Sequence, residues 1–255
     1  MSSDGFVLHK PESQESLVGV LEADRVDLVL TVAYGFLVGE RALSIPTFGW
    51  MNAHYSALPR WRGAAPVQYA LLSGDQQTAL TFFHLEKGMD TGPIYRSIPL
   101  DILPEDDTPS LLHKLSEIGA GEIASLVKEI EEGLQPYPQS ATGITMAPKI
   151  SKAAGLIDPH APVAQSIRQF RALHENPGVY VLFRGQRLRI DAMSSDSHVS
   201  REGTVGEIYA IENFLCVCCV DGFLVLQQVT PSGKRTMSGE EFARGARIHG
   251  GEPLG

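Results

Sequence analysis

The sequence predicts an α/β protein: a truncated doubly wound (Rossmann-like) domain, followed by a small antiparallel β domain of the open-barrel, OB-like kind. Three observations point there. Val26 to Tyr34 (Val-Asp-Leu-Val-Leu-Thr-Val-Ala-Tyr) is almost continuously apolar and β-branched, the pattern of a strand buried on both faces of a parallel sheet. Strand-like and helix-like stretches alternate up to about residue 135. Beyond about residue 150 the rhythm changes to short alternating runs, separated by turn pairs such as Arg184-Gly185 and Asp221-Gly222.

Taken in order, Gly5 to His9 reads as a short strand running into Lys10-Pro11. Ser13 to Ala23 carries Leu17, Val18, Val20 and Leu21 close to a helical stripe. After the Val26–Tyr34 strand, Val38 to Leu43 reads as a short helix and Gly49 to His54 as the next strand. Ala64 to Leu72 is a helix with Pro66 in its first turn, where the missing N–H costs nothing. Ala79 to Leu85 and Ile94 to Leu100 are strands. Ser110 to Glu132 is a long helix preceded by the cap pair Thr108-Pro109 and closed by Gly133. The predicted organisation is a catalytic domain over 1–135, a linker over 136–150 beginning at Pro136-Tyr137-Pro138, and a β domain over 151–255. The last contains one helix, Val163 to His174, and strands at 179–183, 187–192, 203–211, 214–220 and 223–229.

Composition excludes several classes. A hydrophobic content of 43% and a charged content of 20% are those of an ordinary globular protein. No apolar run approaches the roughly 18 residues a membrane span needs, and no secretory signal is visible, so no membrane partner is expected. Cys216, Cys218 and Cys219 crowd one predicted strand, too close and too few for a disulfide framework or a zinc site. They are expected to be reduced, in the cytosol. The net charge of −9 argues against a general nucleic-acid binder, but it is uneven. Residues 1–150 hold 10 Lys+Arg against 19 Asp+Glu, while residues 151–255 hold 11 against 11, so the second half is the place to seek a polyanionic partner.

The chemistry concentrates between Met51 and Asp90. Asn52 and His54, at i and i+2 on one strand, point to the same face. At the carboxyl end of a parallel strand that face opens on the crevice where α/β sheets bind ligands. An amide and an imidazole side by side suit the oxyanion of an acyl transfer, at about 3–4 kcal/mol per donor. Asp90, in a turn flanked by Gly88 and Gly92, would accept a proton from the attacking group or orient His54. Spacing alone equally allows Asn52 and His54 to be strand-end polar residues capping a loop. Arg60-Trp61-Arg62 reads either as a solvated loop with a packed anchor or as a pair of cations for an anionic substrate. His84, on an apolar strand, is expected to be packed.

The run Asn52-Ala-His-Tyr-Ser-Ala-Leu-Pro-Arg-Trp-Arg-Gly-Ala-Ala-Pro-Val-Gln68, with Gly74-Asp75 and Met89-Asp90-Thr91-Gly92, resembles the methionyl-tRNA formyltransferases, the tRNA branch of the 10-formyltetrahydrofolate-dependent formyltransferase family. The second half agrees through Ala147-Pro-Lys-Ile-Ser-Lys152, Ile157-Asp158, Asn176-Pro-Gly178, Leu188-Arg-Ile190 and Pro231-Ser-Gly-Lys-Arg-Thr-Met237. The resemblance implies that the methionine α-amino group of initiator tRNA attacks the formyl carbon of 10-formyltetrahydrofolate, with no metal. It makes Asn52 and His54 the oxyanion partners and Asp90 the residue that keeps His54 in a useful protonation state and helps remove the amine proton. Ser56, Ala57, Leu58 and Pro59 match the folate-binding segment, with Ala57 where that family usually has leucine. Lys149, Lys152, Arg168, Arg171, Lys234 and Arg235 are candidate phosphate contacts. The partners expected are methionyl initiator tRNA and the folate, for a monomer in a bacterial cytosol.

A doubly wound domain ordinarily opens with an apolar strand running into a glycine-rich turn. Met1-Ser-Ser-Asp-Gly5 does not. A strand–helix unit is therefore expected to be missing from the front, with low activity for the chain as it stands. The alternatives are a formyltransferase for a sugar nucleotide or purine intermediate, and a truncated, inactive RNA-binding relative.

Overall fold

The run Gln77–His84 (Gln-Thr-Ala-Leu-Thr-Phe-Phe-His) buries every residue from Thr78 to Phe83, so it needs cover on both faces, and the first unit is built around it. The structure is a computed structural model that describes residues 7–35, 38–195 and 202–255. It contains two compact units: residues 1–70, 76–104 and 109–149 form the first, and residues 71–75, 105–108 and 150–255 the second. The expected strand at 5–9 begins outside the described residues, and residues 7–9 carry no regular structure.

The first unit holds a four-stranded sheet in chain order: β1 (Val29–Val32), β2 (Trp50–His54), β3 (Gln77–His84) and β4 (Ile94–Asp101). β1 and β2 are parallel, with Thr31 opposite Asn52. β2–β3 and β3–β4 are antiparallel. The α/β class is as expected, but only one of the three ladders is parallel. An apolar run cannot report its partner's direction, because burial on both faces looks the same either way.

Helices cover the sheet for readable reasons. α1 (Gln14–Ala23) starts at a reciprocal cap in which the Ser13 and Ser16 hydroxyls each take the other's main-chain N–H. Its buried Val18 and Leu21 meet Ala42 of α2 (Glu40–Leu43) and Trp50, whose indole N–H donates to the Ala42 carbonyl at 2.9 Å. After α3 (Pro66–Ser73), the 24-residue α4 (Thr108–Glu131) buries Leu111, Leu115, Leu126 and Ile130. Gly119 lets α4 lie close to β3, since a Cβ there would stand 3.3 Å from the Leu80 methyl. Arg96 on β4 pins the same helix by pairing with Glu122 and Glu129, each at 2.6 Å.

Residues 136–149, expected as a linker, lie within the first unit. Tyr137 exchanges two main-chain hydrogen bonds with Ile94, and Thr145 and Ala147 bond the loop after β2.

Among the described residues, every strand ladder of the second unit is antiparallel. After α5 (Val163–Leu173) come β5 (Val179–Phe183), β6 (Gln186–Ser195), β7 (Glu207–Ile211), β8 (Phe214–Cys219), β9 (Gly222–Pro231), β10 (Met237–Ser238), α6 (Gly239–Ala246) and β11 (Glu252–Pro253). The sheet order is β11-β7-β8-β9-β6-β5, with β10 on β9. Irregular register near Ala192 bends β6. The two ends of the path then meet: Gly255 N–H donates to Leu182 O and Gly185 N–H to Gly255 O, each at 3.0 Å. One antiparallel bridge, Phe183 to Leu254, thus joins the end strands of a curled half-barrel. Cys216, Cys218 and Cys219 are free and buried on β8. Burial pushes the Cys219 thiol up to about 12, so it is an inert core residue.

Candidate active site

Asn52 and His54 end β2, and the chain turns at once into the loop 55–65, which folds back over them. Thr31, buried in the adjacent parallel strand, donates its hydroxyl to Asn52 Oδ1 at 2.7 Å. That bond directs the amide N–H₂ away from β1, ready to donate elsewhere.

His54 is 6% exposed. Its Nε2 lies 2.9 Å from the Trp61 carbonyl. A carbonyl only accepts, so in the neutral ring Nε2 carries the proton and Nδ1 is bare. Nδ1 faces Asp90 Oδ2 at 3.7 Å, too far for a hydrogen bond but close enough for charge to matter. Burial lowers the His54 pKa below 6.5, and the Asp90 carboxylate and the Trp61 carbonyl offset only part of that. The ring is therefore neutral at physiological pH, with its basic nitrogen beside a carboxylate. That arrangement can receive a proton at Nδ1 and stabilise the imidazolium formed. It cannot donate from Nε2 to a reacting oxygen while Trp61 holds it.

Asp90 is held from outside its own turn. Its Oδ2 accepts from the Gly63 N–H at 2.7 Å. Asp90 and Trp61 both have positive φ (51° and 61°), an uncommon conformation for side chains of this size, and both sit at this site. Gly92 approaches the His84 carbonyl so closely that a Cβ would come within 1.7 Å of its oxygen. Gly63, at φ 120°, has Ala147 O only 2.7 Å from where a Cβ would stand.

The expected folate segment is divided. Ser56 is fully buried and gives its hydroxyl to Arg60 O at 2.6 Å, and Leu58 packs with Phe83 and Ile94. Ala57 is the exposed member, and Pro59 is half-buried. Trp61 packs on Tyr69 with centroids 5.5 Å apart, and the Arg60 guanidinium lies 4.3 Å over its ring. His84 is half-buried against Tyr95, with Nδ1 3.1 Å from the phenol oxygen.

Reasoning along the sequence missed Thr31, Gln139 and Thr145. Gln139 bonds the Asp90 turn and Arg62, while Thr145 takes the Trp61 N–H on its hydroxyl at 2.9 Å. Gln139 and Thr145 lie in a Pro/Gly/Ser/Thr stretch that carries no periodic signal. Among the phosphate candidates, Arg168 and Arg171 donate to the carbonyls of Leu72 and Asp106, and Arg235 pairs with Glu241. Lys149, Lys152 and Lys234 are exposed. Among the described residues, no group of three or more His, Cys, Asp or Glu is placed to hold a metal ion, and no helix is long and apolar enough to cross a membrane.

Residues 6–126 match the family profile described as "Formyl transferase", and residues 149–247 match "Formyl transferase, C-terminal domain". The chain belongs to the formyltransferase family. Within it, similar relatives carry the name methionyl-tRNA formyltransferase. That of Streptomyces griseus is 38% identical over 248 residues, covering 96% of this chain and 79% of the relative. That of Magnetococcus marinus is 38% identical over 255 residues, covering 98% and 81%. Solved structures share the fold. HypX from Aquifex aeolicus in complex with tetrahydrofolic acid superposes with a TM-score of 0.71 at 14% identity, over 91% of this chain and 41% of that one. Methionyl-tRNA formyltransferase from Clostridium thermocellum gives a TM-score of 0.61 at 17% identity, over 75% and 81%.

Proposed function

We propose that this protein transfers the formyl group of 10-formyltetrahydrofolate to the α-amino group of methionine on initiator tRNA. The observation that carries the reading is the grouping of an oriented amide (Asn52), a neutral imidazole with a bare Nδ1 (His54) and a carboxylate (Asp90) at one strand end. The donor set fits a formyl group under attack by an amine: one N–H donor for the oxygen, one base for the proton, one anion for the charged base. Bound, 10-formyltetrahydrofolate supplies the electrophilic carbon. Asn52 Nδ2 donates to the formyl oxygen as negative charge builds there, a role in which one donor is worth about 3–4 kcal/mol. His54 Nδ1 takes the proton that the amine sheds on forming the new N–C bond. It returns that proton to the folate nitrogen as the old N–C bond breaks. Asp90 supports the transient imidazolium.

Ser56–Pro59 is proposed as the folate-facing segment. The burial of Ser56 and Leu58 means that it would present Ala57 and main-chain groups rather than a hydroxyl. Lys149, Lys152 and Lys234 are proposed as phosphate contacts for the tRNA. A β domain beginning near residue 150, a monomeric state and a cytosolic location complete the proposal.

The test is formyl transfer by the purified chain from 10-formyltetrahydrofolate to methionyl initiator tRNA, with Asp90→Ala alongside and an aminosugar nucleotide as rival acceptor. Transfer to the tRNA that collapses in Asp90→Ala is expected. Transfer only to the sugar nucleotide, or none above the uncatalysed rate, would overturn the reading.

A further inference from the structure

We propose that Gln139 is a positioning residue of this site, its one side-chain amide clamping the Asp90 turn to the Arg62 loop. The proposal rests on the reading of Asp90 given above.

Gln139 Nε2 donates both of its hydrogens to main-chain carbonyls, Asp90 O and Gly92 O, each at 2.8 Å. Its Oε1 accepts twice from Arg62, from Nε at 3.2 Å and Nη2 at 2.6 Å. Every hydrogen-bonding position of the amide is used. The orientation is also unique. Carbonyls only accept and a guanidinium only donates, so turning the amide over would oppose oxygen to oxygen and N–H to N–H.

The clamp acts where the chain needs holding. Asp90 has φ 51°, a left-handed conformation uncommon outside glycine, and such residues persist when their surroundings fix them. Gly63, next to Arg62, holds the Asp90 carboxylate, so Gln139 and Gly63 bind the turn to one loop through main chain and side chain together. The same loop carries Trp61, whose carbonyl fixes His54. Gln139 is itself rigidly mounted, two residues after Tyr137, which exchanges main-chain hydrogen bonds of 2.7 and 2.9 Å with Ile94 on β4. One amide thus ties together the segments that hold the His54 and Asp90 side chains 3.7 Å apart. Misplacing a reacting group by about 1 Å can cost on the order of 100-fold in rate.

Two variants separate the bonds. Gln139→Leu removes all four; Gln139→Glu keeps an acceptor for Arg62 but loses both donors. Each is expected to lower kcat about 10- to 100-fold, to leave KM for 10-formyltetrahydrofolate nearly unchanged, and to add little loss in an Asp90→Ala background, since the two act as a unit. NMR titration of the His54 ring gives a readout that needs no turnover: a loosened Asp90 raises the His54 pKa less, so it moves further down in Gln139→Leu, which adds no charge of its own, and it is altered in Gln139→Glu. A Gln139→Glu protein with full kcat and an unchanged His54 titration overturns the proposal. So does an equal fold-loss from Gln139→Leu in the wild-type and Asp90→Ala backgrounds. If Asp90→Ala itself runs at the wild-type rate, the reading of Asp90 falls and the clamp's role in the reaction falls with it. That pattern is distinct from a slow Asp90→Ala beside an unaffected Gln139→Leu, which sinks the clamp alone. Should Gln139→Leu fail to fold, Gln139→Glu decides.

Discussion

His54 Nδ1 stands 3.7 Å from Asp90 Oδ2 while His54 Nε2 is held by the Trp61 carbonyl at 2.9 Å. The two contacts together give the ring its tautomer and its job: the proton sits on the nitrogen away from Asp90, and the nitrogen beside Asp90 is the base.

Removing the Asp90 charge should therefore lower the His54 pKa further, because that carboxylate is the charge that raises it against burial. Asp90→Asn, followed by NMR titration of the imidazole, is expected to show a downward shift, with Nε2 protonated in the neutral ring. An upward shift would mean that Asp90 does not act on His54 as a charge.

The same burial makes His54 a source of pH-dependent stability. Its folded pKa lies below the unfolded 6.5, so between those values the unfolded chain binds a proton that the native one does not. The contribution is full above about pH 6.5 and is lost as pH falls from there through the folded pKa. Urea unfolding at pH 7.5 and at pH 5.5 should show a smaller pH difference in His54→Gln than in wild type. Equal differences would argue against a buried neutral ring.

Asn52→Ala should lower kcat by about 10²–10³ with little change in KM, the mark of a donor used mainly as charge develops. Rates at saturating 10-formyltetrahydrofolate check this, and a rise in KM alone would move Asn52 from the chemistry to substrate binding.

Gly92→Ala should destabilise the first unit by about 2–4 kcal/mol, since the added Cβ meets the His84 backbone rather than a movable side chain. Denaturant melts measure it, and a loss under 1 kcal/mol would show that the turn relaxes.

The three thiols should resist an aromatic disulfide reagent at pH 8 until the protein unfolds, because all are free and buried. Fast reaction of even one in the native state would contradict the packing of β8.

What the sequence determined by itself is local and periodic. The i, i+2 spacing of Asn52 and His54 put both side chains on one face, and the Asp221-Gly222 pair placed the β8–β9 hairpin. Thr108-Pro109 announced the start of α4, although Thr108 is its first helical residue and gives its hydroxyl to Ala172 O instead of capping. The formyltransferase motifs gave the family, and the profile matches and relatives bear it out. Tertiary structure decided whatever depends on partners far along the chain. Strand direction was one such matter: β2–β3 and β3–β4 run antiparallel, and an apolar run reads alike in either case. The division of Ser56–Pro59 into buried and exposed members was another, set by the loop's return over β2. The His54 tautomer came from Trp61, seven residues on, and the Asn52 orientation from Thr31, 21 residues back. Gln139 reaches Asp90 across 49 residues, from a stretch whose composition announces only a loop. Periodicity encodes which face a residue takes, whereas a hydrogen bond between distant segments exists only once the sheet and its loops have closed.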